Sequence, residues 1–258
     1  MLRAGFAIGL LLSVCGSTVA LAQQPGQSPP MPIAMDLAKV PPGSWADYSV
    51  TMAQYPPMKL RMSLVARTPA GNVVESAVEG GMMAMVGKMV IQMTLSPGAE
   101  GTLKKSVMQL GANDPMEMPS AMTGARPFVK PNPKGLIGSE TIKTEAGSFK
   151  TKHYRDKTPT GDKIEYWVAD NVPPFGLVKV AVDQKSNPQV KGTSTFLVTA
   201  IGKDAKSTIT KAPKPFDQAT LMKQMMGGAG AGGAGPGGAP KPASAPAQAP
   251  APAAAPKK

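Results

Sequence analysis

Apolar and polar residues alternate over most of the chain between residues 43 and 201. In the clearest segment, Leu60, Met62 and Leu64 are separated by single charged or polar residues. A period of two residues predicts β-strands that bury one face. Five such segments precede residue 111, and short glycine- or proline-containing turns separate them. This spacing predicts antiparallel strands that follow one another in a meander.

Prolines interrupt the alternation in two places. Residues 111–135 contain five prolines and predict a crossing loop over an opening of the sheet, with a short helix near Ser120. Tyr55-Pro56-Pro57 predicts a break between two strands, because proline cannot donate to a strand ladder. The strands resume at Ile137, and the last one is expected to end at Ile201.

These patterns divide the chain into segments. Residues 41–212 are predicted to form one mainly β domain, followed by a short helix over residues 213–226 that begins with Asp217 as its cap. Residues 23–40 are proline-rich and predict an extended or disordered linker. Residues 227–258 are rich in glycine, alanine and proline, and predict a disordered tail.

The N-terminus has the organisation of a secretory signal peptide, residues 1–22. Arg3 precedes an apolar run, and Ala20-Leu21-Ala22 forms a small-x-small cleavage site. Cleavage after Ala22 predicts a periplasmic or secreted protein. The alternative is a lipoprotein signal in which Cys15, preceded by Leu12-Ser13-Val14, is lipidated.

Composition narrows the possible functions. The formal charge is +12, which favours an anionic membrane surface or wall polymer as a partner, and export argues against nucleic acid. Cys15 is the only cysteine, so the cleaved protein has no disulfide and no thiolate nucleophile. His153 is the only histidine and is expected to be an ordinary strand residue. We therefore expect a protein that is not an enzyme and carries no cofactor.

Methionine is unusually frequent, with 18 residues in the chain. A flexible, polarisable side chain suits an adaptable apolar cavity. Two clusters stand out along the sequence. The first methionine cluster is therefore predicted to line a ligand cavity. Its residues are Met83, Met85, Met89, Ile91 and Met93. The second cluster offers thioethers, which are soft ligands for Cu(I), and gives an alternative metal site. Its residues are Met116, Met118 and Met122.

A basic group spans two predicted strands just after the midpoint of the chain. Lys150, Lys152 and Tyr154 follow one another at intervals of two residues, so all three share one face of a strand. We predict that this patch contacts an anionic headgroup or polymer from the outer face of the sheet.

An ordered series of turn and strand motifs carries a family resemblance. It runs from Gly138-Ser139-Glu140-Thr141-Ile142, through Ala146-Gly147-Ser148-Phe149-Lys150, His153-Tyr154 and Tyr166-Trp167-Val168, to Val172-Pro173-Pro174-Phe175-Gly176-Leu177-Val178-Lys179. The series resembles uncharacterised bacterial exported proteins that look related in fold to the periplasmic lipoprotein carriers of the Lol system. The resemblance implies a strongly curved antiparallel sheet, an unclosed half-barrel around an apolar cavity, with few short helices or loops as a lid. No functional residues of the carriers match this chain, so none are transferred.

Three hypotheses about function follow. The first is a non-enzymatic protein of the cell envelope that binds an apolar or amphipathic ligand, a lipid or an acylated partner, in the curved sheet. The second is a periplasmic Cu(I)-binding protein that uses the second methionine cluster. The third is an envelope scaffold whose sheet edge or tail binds another protein.

Overall fold

A computed structural model describes residues 31–53, 55–85, 87–97, 101–119, 128–157, 161–185 and 192–227. The predicted signal peptide, the first part of the predicted linker (residues 23–30) and the tail from residue 228 onward lie outside the described residues. So do Met122 and Ser120, with the short helix predicted near it.

The described chain is mainly β-structure. Its strands are β1 (Met31–Pro32), β2 (Trp45–Met52), β3 (Tyr55–Thr68), β4 (Gly71–Gly80), β5 (Met89–Leu95), β6 (Leu103–Leu110), β7 (Met116–Met118), β8 (Phe128–Val129), β9 (Leu136–Thr144), β10 (Gly147–Lys157), β11 (Lys163–Val168), β12 (Leu177–Gln184) and β13 (Gly192–Gly202). Two 3-10 turns, Gly81–Met85 and Pro133–Gly135, and one α-helix, α1 (Gln218–Gly227), complete the described elements.

Eleven of these strands form one antiparallel sheet in the order β7-β6-β5-β4-β3-β2-β13-β12-β11-β10-β9. The sheet consists of two meanders, β2 to β7 and β9 to β13, which are joined where β2 pairs with β13. The part of the chain between β7 and β9, called the crossing segment here, connects the two edges of the sheet. β9 and β13 are four strands apart, a separation of about 19 Å in a flat sheet. Their Cα atoms nevertheless approach within 8 Å. The predicted fold class, a curved and unclosed antiparallel sheet, is confirmed.

One face of the sheet, called the inner face here, carries the main core. Leu60 of β3 pairs with Tyr48 of β2 and with Val78 of β4, and Met93 of β5 pairs with Val74. These side chains belong to one apolar cluster. The alternation read from the sequence is therefore the alternation of buried and exposed positions.

The predicted break at Tyr55-Pro56-Pro57 is wrong, because β3 begins at Tyr55 and continues through both prolines. Met52 pairs with Tyr55 and Val50 pairs with Met58, so the register shifts between these two pairs. Both prolines lie between these two pairs of residues. They also have no partner on β4, because the last pair between β3 and β4 is Met58 with Gly80. A bulge therefore accommodates residues that have no N–H to donate.

The predicted linker, residues 23–40, is only partly a linker, because residues 31–40 belong to the fold. β1 pairs in parallel with β8, and Ile33, Leu37 and Val40 are buried. The guanidinium of Arg67 donates hydrogen bonds to the carbonyls of Leu37 and Val40 at 2.7 and 3.0 Å. The apolar residues between the prolines give this segment a buried face, which outweighs its loop-like composition.

The segment after β13, residues 203–217, covers part of the opposite face and is called the strap here. Val73, Ala77, Val90 and Val107 are buried although they alternate with inner-face residues. Between them, the buried carboxylate of Glu75 accepts hydrogen bonds from the Ser207 hydroxyl and the Thr208 N–H at 3.2 and 3.0 Å. The strap therefore gives β4 and β5 a second buried face.

The strap ends at the helix α1. Asp217 accepts hydrogen bonds from the N–H groups of Ala219 and Thr220, which confirms it as the predicted cap. The Thr220 hydroxyl and the Ala219 N–H lower the pKa of Asp217 below its ordinary value. Leu221 is buried against the main core. None of the helices in the described part of the chain has the length and hydropathy needed to span a membrane.

Replacing Glu75 by alanine should destabilise the protein by about 1–3 kcal/mol, because the hydroxyl of Ser207 and the N–H of Thr208 lose their acceptor. Urea denaturation measures the change in unfolding free energy. Glu79→Ala on the same strand is the matched control. Glu79 forms an exposed ion pair with Lys88 at 3.1 Å, so its loss should cost less than about 1 kcal/mol. Equal losses for the two variants would show that Glu75 does not hold the strap.

Replacing Leu37 by alanine should cost about 2–5 kcal/mol, because the side chain is fully buried in the core. Thermal or urea denaturation measures the loss. Lys39→Ala, at an exposed position two residues away, should leave stability within about 0.5 kcal/mol. If Leu37→Ala also had no effect, residues 31–40 would be a linker after all.

Candidate functional site

A pocket of about 330 Å³ lies between residues 33–36, the crossing segment at residues 130–131, and strands β10 and β11. Ile33, Met35 and Val168 supply apolar lining, and Tyr154 adds an aromatic wall. The pocket thus forms where the N-terminal segment and the crossing segment meet the inner face of the sheet.

Backbone hydrogen bonds hold the N-terminal wall of the pocket. The N–H of Ile33 donates to the Val129 carbonyl at 2.7 Å, and the N–H of Ala34 donates to the Phe175 carbonyl at 2.8 Å. Gly176 has a φ of +77°, and a Cβ there would lie 2.9 Å from the Ala34 Cβ. Glycine is therefore required on both conformational and steric grounds for this wall to pack closely.

Stacked rings fix the wall formed by the sheet. The rings of Tyr154 and Tyr166 lie 5.3 Å apart and are nearly parallel, at 8°. The Tyr166 hydroxyl accepts a hydrogen bond from the N–H of Asn132 at 3.3 Å, which ties the crossing segment to β11. Burial raises the pKa of the Tyr166 phenol above its ordinary value, although the Asn132 hydrogen bond opposes this effect.

Four charged side chains of both signs line the pocket: Lys130, Lys152, Asp36 and Asp170. Within the described residues, none of the four forms an ion pair with N–O distance within 4 Å. Asp36 accepts one local hydrogen bond, from the N–H of Ala38 at 3.0 Å. The pocket lining therefore combines apolar side chains with two cationic and two anionic groups that form no ion pair among the described residues.

The structure brings two residues of the predicted basic patch into this pocket. Lys152 and Tyr154 line it, whereas Lys150 is exposed on the same strand and is not part of the lining. The patch was predicted on the outer face of the sheet, but Lys152 and Tyr154 lie on the inner face, against which residues 33–36 pack. Strand alternation alone predicts that Lys152 and Tyr154 share a face. It does not predict which residues cover that face, because residues 33–36 lie more than a hundred positions earlier in the chain.

The first methionine cluster lies in the closed core. Met83, Met89, Ile91 and Met93 are at most 6% exposed, so protein atoms already cover them. Met85 falls in the 3-10 turn after β4. A ligand would reach these side chains only if the covering segments moved, and their role as a cavity lining stays a prediction.

The second methionine cluster is divided. Met116 and Met118 lie in the edge strand β7 with their side chains in the apolar core, whereas Met122 is outside the described residues. No group of three or more histidine, cysteine, aspartate or glutamate residues suited to a metal occurs among the residues that the structure describes. The Cu(I) site stays a prediction.

His153 lies on the other face of β10, in a cluster of rings and charges that sequence reasoning did not find. Its ring stacks on Trp167 with 4.1 Å between centroids, and its Nδ1 lies 3.2 Å from the Glu140 carboxylate. Burial acts to raise the pKa of Glu165, but hydrogen bonds from Arg155 and Lys163 hold it below its ordinary value. The cluster joins β9, β10 and β11, which is a structural role.

No protein-family model matches the chain, and no curated protein matches it at a significant level. Several solved structures are similar to part of it. A Bacteroides fragilis protein assigned as exported, with a YmcC-like fold, is 15% identical with a TM-score of 0.34, over 68% of this chain and 99% of its own. A Parabacteroides distasonis protein assigned as a lipoprotein is 12% identical with a TM-score of 0.31, over 66% and 99% of the two chains.

A chain of the Pseudomonas aeruginosa MucA/MucB complex is 11% identical with a TM-score of 0.30, over 64% of this chain and 53% of its own. The likeness to lipoprotein carriers stays a prediction. Identities and scores this low leave the function to be argued from the residues of this chain.

Replacing Tyr166 by phenylalanine removes the acceptor of the Asn132 N–H. Hydrogen exchange at Asn132 should become faster, and stability should fall by about 1 kcal/mol. Because the folded pKa of Tyr166 is raised, its neutral phenol contributes stability below about pH 10 that is lost as the pH rises further. The variant should lack this part of the alkaline loss. Unchanged exchange at Asn132 would show that the hydrogen bond does not hold the crossing segment.

Proposed function

We propose that this is a non-enzymatic exported protein of the cell envelope that binds the polar end of an amphipathic ligand in the pocket beside Tyr154. The observation that carries the proposal is the set of charges of both signs that line one pocket beside apolar side chains. Lys130, Lys152 and Asp170 are exposed and Asp36 is half-buried, so all four charges are accessible to a ligand.

The positions of the charges favour a headgroup that contains both an anion and a cation. The ammonium groups of Lys130 and Lys152 suit a phosphate, and the carboxylates of Asp36 and Asp170 suit an amine. Ile33, Met35 and Val168 offer apolar surface to the part of the chain next to the headgroup. Zwitterionic phospholipids combine these three features.

The size of the pocket sets how much of the ligand it holds. A volume of about 330 Å³ is at the lower end of the range for small-molecule sites. It suits a headgroup and the first methylenes, while a long acyl chain would extend beyond it. Such a protein would recognise a lipid at a surface or hold a lipid by one end.

The supply of reactive groups supports a binding role rather than catalysis. His153 is the only histidine of the chain, and it is stacked on Trp167 and paired with Glu140 on the face away from the pocket. The pocket itself contains lysines, aspartates and one tyrosine, without a hydrogen-bonded nucleophile and base among its described residues.

The full chain should bind lysophosphatidylethanolamine, and Lys152→Glu should weaken this binding about tenfold, because a charge-assisted contact becomes a repulsion. Native mass spectrometry with monomeric lipid below its micelle concentration measures the affinity. Lys150→Glu is the matched control, since it makes the same charge change on the same strand outside the pocket. Equal weakening by both variants, or no binding by the unaltered chain, would contradict the proposal.

A further inference from the structure

The two edges of the sheet differ in what covers them. At β7, the strap continues the ladder. Met116 forms a parallel bridge with Lys214, the Glu117 N–H donates to the Lys214 carbonyl, and the Lys214 N–H donates to the Pro115 carbonyl, both at 2.8 Å. At the opposite edge, β9 pairs with β10 alone among the described residues. The chain therefore covers one edge with its own backbone and leaves the other with a single partner strand.

β9 is exposed along its length, although some of its Cα atoms lie within 8 Å of those of β13. It has nine residues, and none of them is buried. Its first two residues, Leu136 and Ile137, are 50% and 48% exposed, and with Met222 they are the exposed large apolar side chains of the described chain. Two adjacent exposed apolar residues at the start of an edge strand give an added strand a local apolar contact.

Of the devices that usually protect an edge, β9 carries a bulge and two charged side chains, Glu140 and Lys143. Its one irregularity is near its start, where Leu136 pairs with Tyr154 and Gly138 pairs with His153, so that Ile137 is the extra residue of a bulge. From Gly138 to Thr144 the pairing with β10 is regular, and this stretch contains no proline. Seven regular residues are enough to pair with an extended peptide.

Charge indicates the kind of peptide that would fit. On one face of this hairpin, Lys143 pairs with Ser148, Thr141 pairs with Lys150, and Ser139 pairs with Lys152. The first two lysines are exposed, and both are free of ion pairs within the described residues. An added strand would direct every second side chain toward this face, with one residue directly opposite Lys143 of β9 and with Lys150 one strand further away on β10.

We propose that β9 binds an extended, acidic segment of another envelope protein by strand addition, with its backbone bonded to Gly138–Thr144 and its acidic side chains directed toward Lys143 and Lys150. Apolar contact with Leu136 and Ile137 would fix one end of the segment. This site is separate from the lipid pocket, so either proposal stands if the other fails.

The probe is a fluorescein-labelled peptide of eight residues in which glutamate alternates with valine. Fluorescence anisotropy should show that it binds the full chain. The double variant Lys143→Glu/Lys150→Glu should weaken binding roughly tenfold, because the cross-strand pair at Lys143 becomes a like-charge pair and the longer-range attraction of Lys150 on β10 becomes a repulsion. The matched control Lys59→Glu/Lys104→Glu makes the same charge change at exposed positions on β3 and β6, which are not sheet edges, and should weaken it less than threefold.

A second peptide separates strand addition from simple charge attraction. It has the same side chains, but N-methyl groups on alternate residues block the backbone donors along one edge. Each of the two possible methylation patterns is tested. One pattern should abolish binding, and the other should leave it within about threefold. Equal binding by both methylated peptides, or equal weakening by the control double variant, would overturn the proposal.

Self-association of the chain through β9 is tested in the same series of measurements. Sedimentation velocity of the full chain should show a monomer at the concentrations used for the peptide. A dimer that the Lys143→Glu/Lys150→Glu variant changes would instead assign β9 to a second copy of this chain and contradict an acidic partner.

Discussion

The pairing of β2 with β13 is the constraint on which the rest of the structure depends. It joins the first full strand of one meander to the last strand of the other, across about 150 residues of sequence, with Val50 opposite Phe196 and Tyr48 opposite Val198. The Tyr48 hydroxyl donates a further hydrogen bond at 3.2 Å to the carbonyl of Leu177 on β12, the strand beyond β13. Without this seam, the chain would form two small sheets, and no continuous inner face would exist.

The inner face then determines where the two connecting segments can lie. Residues 31–40 bury their apolar side chains against it, and the crossing segment brings Phe128 to stack on Phe175 at 4.7 Å. The methionines of β5 and β6, Met89, Met93 and Met108, belong to the same core. The pocket is the small region where these covering segments do not meet completely, which is why its walls come from four distant parts of the sequence.

Sequence reasoning predicted the features that depend on local pattern. The alternation of Leu60, Met62 and Leu64 and the cap at Asp217 were both predictable, because each reflects interactions within a few residues. Residues 31–40 were not assigned to the fold, since their burial depends on a surface created by strands much later in the chain. The second buried face of β4 at Glu75 was missed for the same reason, because the strap that covers it comes from residues 203–217.

A ligand that binds beside Tyr154, rather than among the core methionines, must place its protons close to the residues that line the pocket. Nuclear Overhauser contacts between lysophosphatidylethanolamine and the isotope-labelled full chain measure this proximity. Binding in the pocket predicts contacts from headgroup and proximal methylene protons to the Tyr154 ring and the Val168 methyl groups, both of which line the pocket. Contacts to the methyl groups of Met89 and Met93, without contacts to Tyr154, would show that the core opens to form the binding site and would contradict it.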